Sequence, residues 1–571
     1  MTTTAGKAPL LSIEGLTVPL PGGARRNALS SVDLVLNSGE ILCVVGESGS
    51  GKSMCANAVM GLLPEPLKAS AGRIVFEGRD LLALDEPGLR KLRGASIGMI
   101  FQEPLSALNP VMRVGAQVAE VYRVHGQRDA AAVGQKVLLQ LDRVGLPDPM
   151  TLAHAYPFQL SGGQRQRVMI AMALALEPRI LIADEPTTAL DVTTQSQILA
   201  LIRSLQRTAG MGVLFITHDF GVVAEIADRV AVMEHGVVVE TGTADQVLNA
   251  PNHAYTRRLI AAVPRRRDEA RAGASPNVQT PLAPVLEVQG LHKHYVTRGG
   301  WRTPRRVVQA VDGVDFCVAR GETLGIVGES GSGKSTIGKC LLKLVAIDSG
   351  RILFEGRDIA PLSAHTFRPL RREIQMVFQD PYASLNPRQT AGRIVSDGPV
   401  ASGATRAQAQ VRARELLSLV GLDDGAFDRY PNQFSGGQRQ RIGIARALAL
   451  DPKVLVADEA VSALDVSVQA QVLALLRELQ QRLRLALVFI THDLRVAAQI
   501  CDTVLVMHRG RVVERGSPRQ IFEDPQHAYT QALIAAVPGQ GWNPTRAVAG
   551  DEGDVGGTVP LPGGGVLPLP V

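Results

Sequence analysis

One property constrains this chain before any other: its motifs are written twice, in the same order. VVGESGSGKS (44–53) recurs as IVGESGSGKS (326–335), FQEPLSALNP (101–110) as FQDPYASLNP (378–387), and LSGGQRQR (160–167) as FSGGQRQR (434–441). IADEPTTALD, FITHDF and NHAYTRRLIAAVP return as VADEAVSALD, FITHDL and QHAYTQALIAAVP. The copies stand 282 residues apart at Lys52 and Lys334, and 274 apart from Ser161 and Ser435 onward. A long period with unlike motifs in fixed order means one domain type present twice. The expected division is a first domain over 1–264, a linker over 265–284, a second domain over 285–538 and a tail over 539–571.

The linker, RRRDEARAGASPNVQTPLAP, is charged and then rich in Ala, Ser and Pro, with little to bury. Fully extended, it reaches at most ~70 Å. The tail is Gly/Pro-rich without helical or strand periodicity and is expected to be disordered. TRGGWRTPRR (297–306) reads as a solvated hairpin loop rather than a binding patch.

Hydrophobic residues make up 45% and charged residues 20%, enough to build real cores and exclude disorder over most of the length. A net charge of +6 over 571 residues does not demand nucleic acid, and 4% aromatics argues against base-stacking platforms. The five cysteines are scattered, without a C-x-x-C pair, so neither a disulfide framework nor a zinc site is expected. No apolar run approaches the ~18 residues of a membrane span, and the start lacks the pattern of a signal peptide. The expectation is a chain kept inside the cell, with any membrane role peripheral.

Each copy opens with an apolar strand, ILCVV or LGIV, that runs into G-x-x-x-x-G-K-S and then a helical segment. In that context the glycines let successive backbone N–H groups point at one anion, and the helix adds its positive end. Gly46, Glu47, Ser48, Gly49, Ser50, Gly51, Lys52 and Ser53 form the first such loop. Gly328, Glu329, Ser330, Gly331, Ser332, Gly333, Lys334, Ser335 and Thr336 form the second. Lys52 and Lys334 bring full charges to the β/γ-phosphates; the Ser53 and Ser335 hydroxyls suit Mg²⁺. ILIADE (180–185) and VLVADE (454–459) are continuous apolar runs ending in two carboxylates, as buried parallel strands read. Asp184 and Asp458 are candidate metal ligands, and Glu185 and Glu459 are placed to polarise an attacking water.

At this point each half resembles the nucleotide-binding domain of an ATP-binding-cassette (ABC) ATPase. The distinguishing match is SGGQ, at Ser161, Gly162, Gly163 and Gln164 and at Ser435, Gly436, Gly437 and Gln438. The resemblance implies an α/β fold of two tandem P-loop NTPase domains. Each would have a mainly parallel core sheet, a small antiparallel subdomain and a helical subdomain carrying SGGQ. It also implies that each SGGQ closes over ATP held by the opposite domain's loop, so that one chain needs no second ATPase subunit. Gln102 and Gln379 match the Q-loop that contacts Mg²⁺ or water, His218 and His492 the switch histidine, and Asp191 and Asp465 the D-loop. The EPLSALNP and DPYASLNP continuations and the paired HAY segments are similar to those of dipeptide and oligopeptide permease ATPases.

That resemblance implies an ATP-hydrolysing subunit on the inner face of a bacterial plasma membrane. It would use ATP and Mg²⁺ and work with two membrane-spanning permeases and an external solute-binding protein, without nucleic acid. Some members carry a cysteine cluster beyond the first HAY motif that can hold an iron–sulfur centre; no cysteine lies between Cys55 and Cys317, so no such cluster is expected. The thiols are expected to fill apolar positions. The adenine-stacking aromatic is matched by Tyr295 but in the first half by Leu20, so ATP held by Lys52 is expected to bind more weakly. Asp-Glu-Pro becomes Asp458-Glu459-Ala460 in the second half, which leaves the glutamate in place. The main rival is a soluble twin-cassette ATPase acting on ribosomes or nucleic acid, against which the short linker and the HAY segments speak; a zinc-bearing DNA-repair ATPase and a binding-only scaffold are weaker.

Overall fold

The computed structural model describes residues 9–21, 27–188, 190–264, 283–297, 306–380, 383–462 and 464–542. The expected linker lies outside them except for 283–284, as does the tail beyond 542 and most of the basic 297–306 stretch. The described chain forms two compact units, built chiefly from Met1–Val263 and from Pro264–Leu464 with Val468–Ile534.

In the first unit the apolar runs become a six-stranded sheet. Its order is Val237–Thr243, Arg229–Glu234, Ile41–Val45, Gly212–Thr217, Ile180–Asp184, Ile97–Ile100. All neighbours pair in parallel except the Val237–Thr243 edge. Every residue of Ile41–Val45 is buried, because the sheet is covered on both faces. The pleat divides them: Ile41, Cys43 and Val45 join the core holding Phe215, Phe220 and Ile170, and Leu42 and Val44 join the one holding Leu11, Ile13, Cys55 and Val59. That second core is roofed by an antiparallel sheet in the order Asn27–Leu36, Leu11–Pro19, Ala71–Phe76, Arg79–Asp80. The helices Val114–Val124, Ala130–Arg143 and Gly162–Leu174 make the helical part.

The second unit repeats this plan. Its six-stranded sheet runs Ile374–Val377, Val454–Asp458, Ala486–Thr491, Thr323–Val327, Thr503–His508, Arg511–Gly516, again with one antiparallel edge. The antiparallel sheet runs Arg306–Val318, Leu286–Thr297, Ser349–Phe354, Arg357–Asp358. Gly436–Leu448 is the counterpart of Gly162–Leu174, and each starts at its SGGQ. Cys43, Cys55, Cys340 and Cys501 are buried as expected of apolar fillers, but Cys317 is only half-buried.

Candidate active site

The phosphate-type loop of each unit joins a central strand to the helix Lys52–Met60 or Lys334–Leu341. Glycine is required at its first position: a Cβ on Gly46 would stand 2.2 Å from the Met233 carbonyl oxygen, and one on Gly328 2.3 Å from that of Met507. The lysines fold back over the loop. Lys52 Nζ donates to the Gly46 and Glu47 carbonyls at 2.8 Å each; Lys334 Nζ donates to Gly328 and Glu329 at 2.7 Å each. Both lysines are buried, and burial lowers the Lys52 pKa although the Glu185 and Asp184 charges oppose it.

The acids at the strand ends meet these loops. Ser53 Oγ donates to Asp184 at 2.9 Å, and Ser335 Oγ to Asp458 at 2.9 Å. Burial pushes the Asp184 carboxyl up to about 6 against the pull of the Ser53 hydroxyl, and burial raises Asp458 likewise. A hydroxyl beside a buried carboxylate that resists ionising fits a hard divalent cation, which would displace the proton and take the oxygens. Among the described residues no three His, Cys, Asp or Glu side chains cluster as a metal site.

Glu185 and Glu459 follow their strands with φ of 46° and 48°, a left-handed conformation that costs a non-glycine residue roughly 1–2 kcal/mol. The twist turns each carboxylate toward the loop side. Gln102 Nε2 donates to Glu185 at 3.0 Å and Gln379 Nε2 to Glu459 at 2.6 Å. His218 Nδ1 lies 3.3 Å from Glu185, and His492 Nδ1 3.5 Å from Glu459. Burial alone would raise the Glu185 carboxyl, but the His218 hydrogen bond and charge, with Lys52, prevail and hold it at about 2. Glu459 is lowered by the same balance. Burial opposes charge on both histidines, yet their glutamate partners raise them. In each unit the pairing thus favours the charged form of both the glutamate and the histidine.

A cavity of about 940 Å³ in the first unit is lined by Lys52, Ser53, Gln102 and Glu185. Its other wall includes Leu20, Asn27, Ala28 and His235. Strand register places Leu20 where the second unit has Tyr295: Pro19 pairs with Asn27, His294 pairs with Gln309, and Leu20 and Tyr295 come next. Tyr295 is 39% exposed with the Lys293 ammonium 5.7 Å from its ring centroid. The Ser161–Gln164 segment does not line the cavity of its own unit. Ser161 caps its helix instead: its Oγ accepts from Gln164 N at 3.2 Å while Gln164 Oε1 accepts from Ser161 N at 3.0 Å, and Ser435 and Gln438 repeat the box. Asp191 likewise caps Val192–Ala209.

Four residues at this site were not singled out from the sequence. Thr188 Oγ1 donates to Glu185 at 3.1 Å, whereas its counterpart Ser462 donates to the Glu459 backbone carbonyl at 3.0 Å. The tyrosines of the HAY segments reach the phosphate loops: Tyr255 Oη accepts from Glu47 N at 3.1 Å and Tyr529 Oη from Glu329 N at 3.1 Å. The repetition of HAY was the visible signal, but the partner lies 208 or 200 residues away.

Family comparison agrees with this geometry. A family model described as "ABC transporter" matches residues 29–188 and 311–462, and one described as "Oligopeptide/dipeptide transporter, C-terminal region" matches 239–285 and 513–557. The chain is 48% identical over 536 residues to the peptidoglycan transport ATP-binding protein YejF of Agrobacterium fabrum, covering 93% of this chain and 96% of that one. It is 48% identical over 557 residues to the glutathione import ATP-binding protein GsiA of Salmonella choleraesuis, covering 93% and 89%. The chain belongs to the ABC transporter family, as an ATP-binding protein with two fused cassettes of the oligopeptide/dipeptide type. It is an ATPase of that class.

Proposed function

We propose that this chain energises a membrane importer of peptides or peptide-like solutes and supplies both of its ATP sites. The observation that carries the reading is duplication of the whole chemical set, Lys, Ser, Asp, Glu, Gln and His, in two units that also carry the oligopeptide-type C-terminal region. Relatives are named for glutathione and peptidoglycan, so a short peptide or peptide-derived solute is the proposed cargo. The proposed partners are two membrane-spanning permeases and an external solute-binding protein, with the chain on the cytoplasmic face of the plasma membrane. No helix among the described residues is long and apolar enough to cross a membrane, which leaves the passage to such partners.

In this mechanism Lys52 and Lys334 bind the β/γ-phosphates beside the loop amides. Ser53, Gln102 and Asp184, with Ser335, Gln379 and Asp458, would hold Mg²⁺, which supplies charge neutralisation on the phosphates when bound. Glu185 and Glu459 orient the attacking water, and Gln102 and Gln379 hold the carboxylates in place. The His218 and His492 hydrogen bonds favour the ionised form of Glu185 and Glu459, the form that can accept a hydrogen bond from the attacking water. Co-purification tests the partnership: the tagged chain should bring down two membrane-spanning proteins, and their solute-binding protein should stimulate ATP turnover. Recovery with ribosomes and no membrane protein would contradict the reading.

A further inference from the structure

In both units one peptide group of the phosphate loop is held at its two ends. The Gly46 carbonyl accepts from Lys52 Nζ, and the amide on the other side of that peptide bond, Glu47 N–H, donates to the Tyr255 hydroxyl. Gly328 and Glu329 stand in the same relation to Lys334 and Tyr529. The peptide cannot rotate without losing both bonds, although the glycine on its left, with φ of 155° or 149°, gives it the freedom to do so. Donation of the N–H polarises the carbonyl and strengthens its hold on the ammonium.

The tyrosines are themselves anchored. Glu240 accepts from Asn252 N at 2.7 Å and His253 N at 3.1 Å; Glu514 accepts from Gln526 N at 2.8 Å and His527 N at 3.1 Å. His253 and His527 then cap the helices by accepting from Tyr255 N and Tyr529 N. Each ring is steadied differently. Arg258 lies over Tyr255 and is paired with Glu234, while His508 stacks on Tyr529 at 4.0 Å. Burial pushes the Tyr255 hydroxyl up to about 12, so it stays protonated. What the two copies share is the hydroxyl on the loop amide.

We propose that Tyr255 and Tyr529 are positioning residues for ATP binding, each fixing the loop peptide that parks the phosphate-binding lysine. The oligopeptide-type C-terminal region then acts as a buttress of the nucleotide site in each unit. This rests on the assignment of the two loops to ATP. A preorganised loop binds ground state and transition state alike, so its loss raises KM rather than lowering kcat.

The test is steady-state ATP hydrolysis by the full chain carrying Tyr255→Phe and Tyr529→Phe, which keep the rings and remove only the hydroxyls. KM for ATP should rise about tenfold, with kcat within about twofold, because a half-buried backbone donor loses its partner. Leu259→Val with Leu533→Val, which thins the packing of the same two helices, should lower Tm and leave KM unchanged. An unchanged KM in the Phe variants, or an equal rise in the Val variants, overturns the proposal. ATP binding that survives Lys52→Ala with Lys334→Ala would instead overturn the loop assignment itself, and the proposal with it.

Discussion

At the scale of single residues, the glutamate–histidine pairs show how environment decides chemistry. Asp184 and Glu185 are neighbours in sequence, yet burial pushes one up to about 6 while the His218 hydrogen bond and charge, with Lys52, hold the other at about 2. His218→Ala with His492→Ala should cut ATP turnover by about 100-fold, the usual worth of a group supporting a general base. ATP affinity should stay within about threefold, as measured by equilibrium binding; a large loss of affinity with normal turnover would reverse the roles. The thiols make a simpler case. Burial pushes Cys55 up to about 12 and Cys340 up to about 11, and raises Cys43 and Cys501 as well. All four should resist iodoacetamide in the native chain and react only after denaturation, as mass spectrometry would read.

At the scale of elements, much of the site was legible because strand and loop signals are local. ILCVV is an unbroken apolar run and ILIAD is apolar up to its closing Asp184, and they are buried strands for that reason. SGGQ reads as a helix start, and its Ser and Gln form a capping box in both copies. The second glycine has a tertiary reason that no local signal carries: a Cβ on Gly163 would stand 2.6 Å from Thr194 Cγ2, and one on Gly437 2.1 Å from Val468 Cγ1. The tyrosine hydroxyls were hidden for a similar reason, since a marker segment declares its family but not the distant amide it touches. Leu20, by contrast, follows from ladder register, and it carries a prediction. Leu20→Tyr in a Lys334→Ala chain should tighten ATP binding by about tenfold, since an aromatic stack on a base is worth roughly 1–3 kcal/mol. Calorimetric titration that finds no gain would remove the base from that end of the cavity.

At the scale of the whole molecule, the duplication that organised the sequence also organises the chemistry. Each unit carries its own loop, strand acids, glutamine and histidine, and the copies differ at Leu20 against Tyr295 and where they brace the glutamate, Thr188 against Ser462. The fold class and site composition could be read ahead because the two copies check one another. The pairings around Tyr255 and Tyr529 could not, because they join segments far apart in the chain. The central claim is that Glu185 and Glu459 carry ATP hydrolysis in one polypeptide. Its most direct test is ATP turnover by the intact chain with Glu185→Gln and Glu459→Gln, singly and together. Each single change should remove a large share of the activity, and the double change should lower it at least ~100-fold while ATP still binds. Turnover in the double variant equal to that of the unaltered chain would contradict the account.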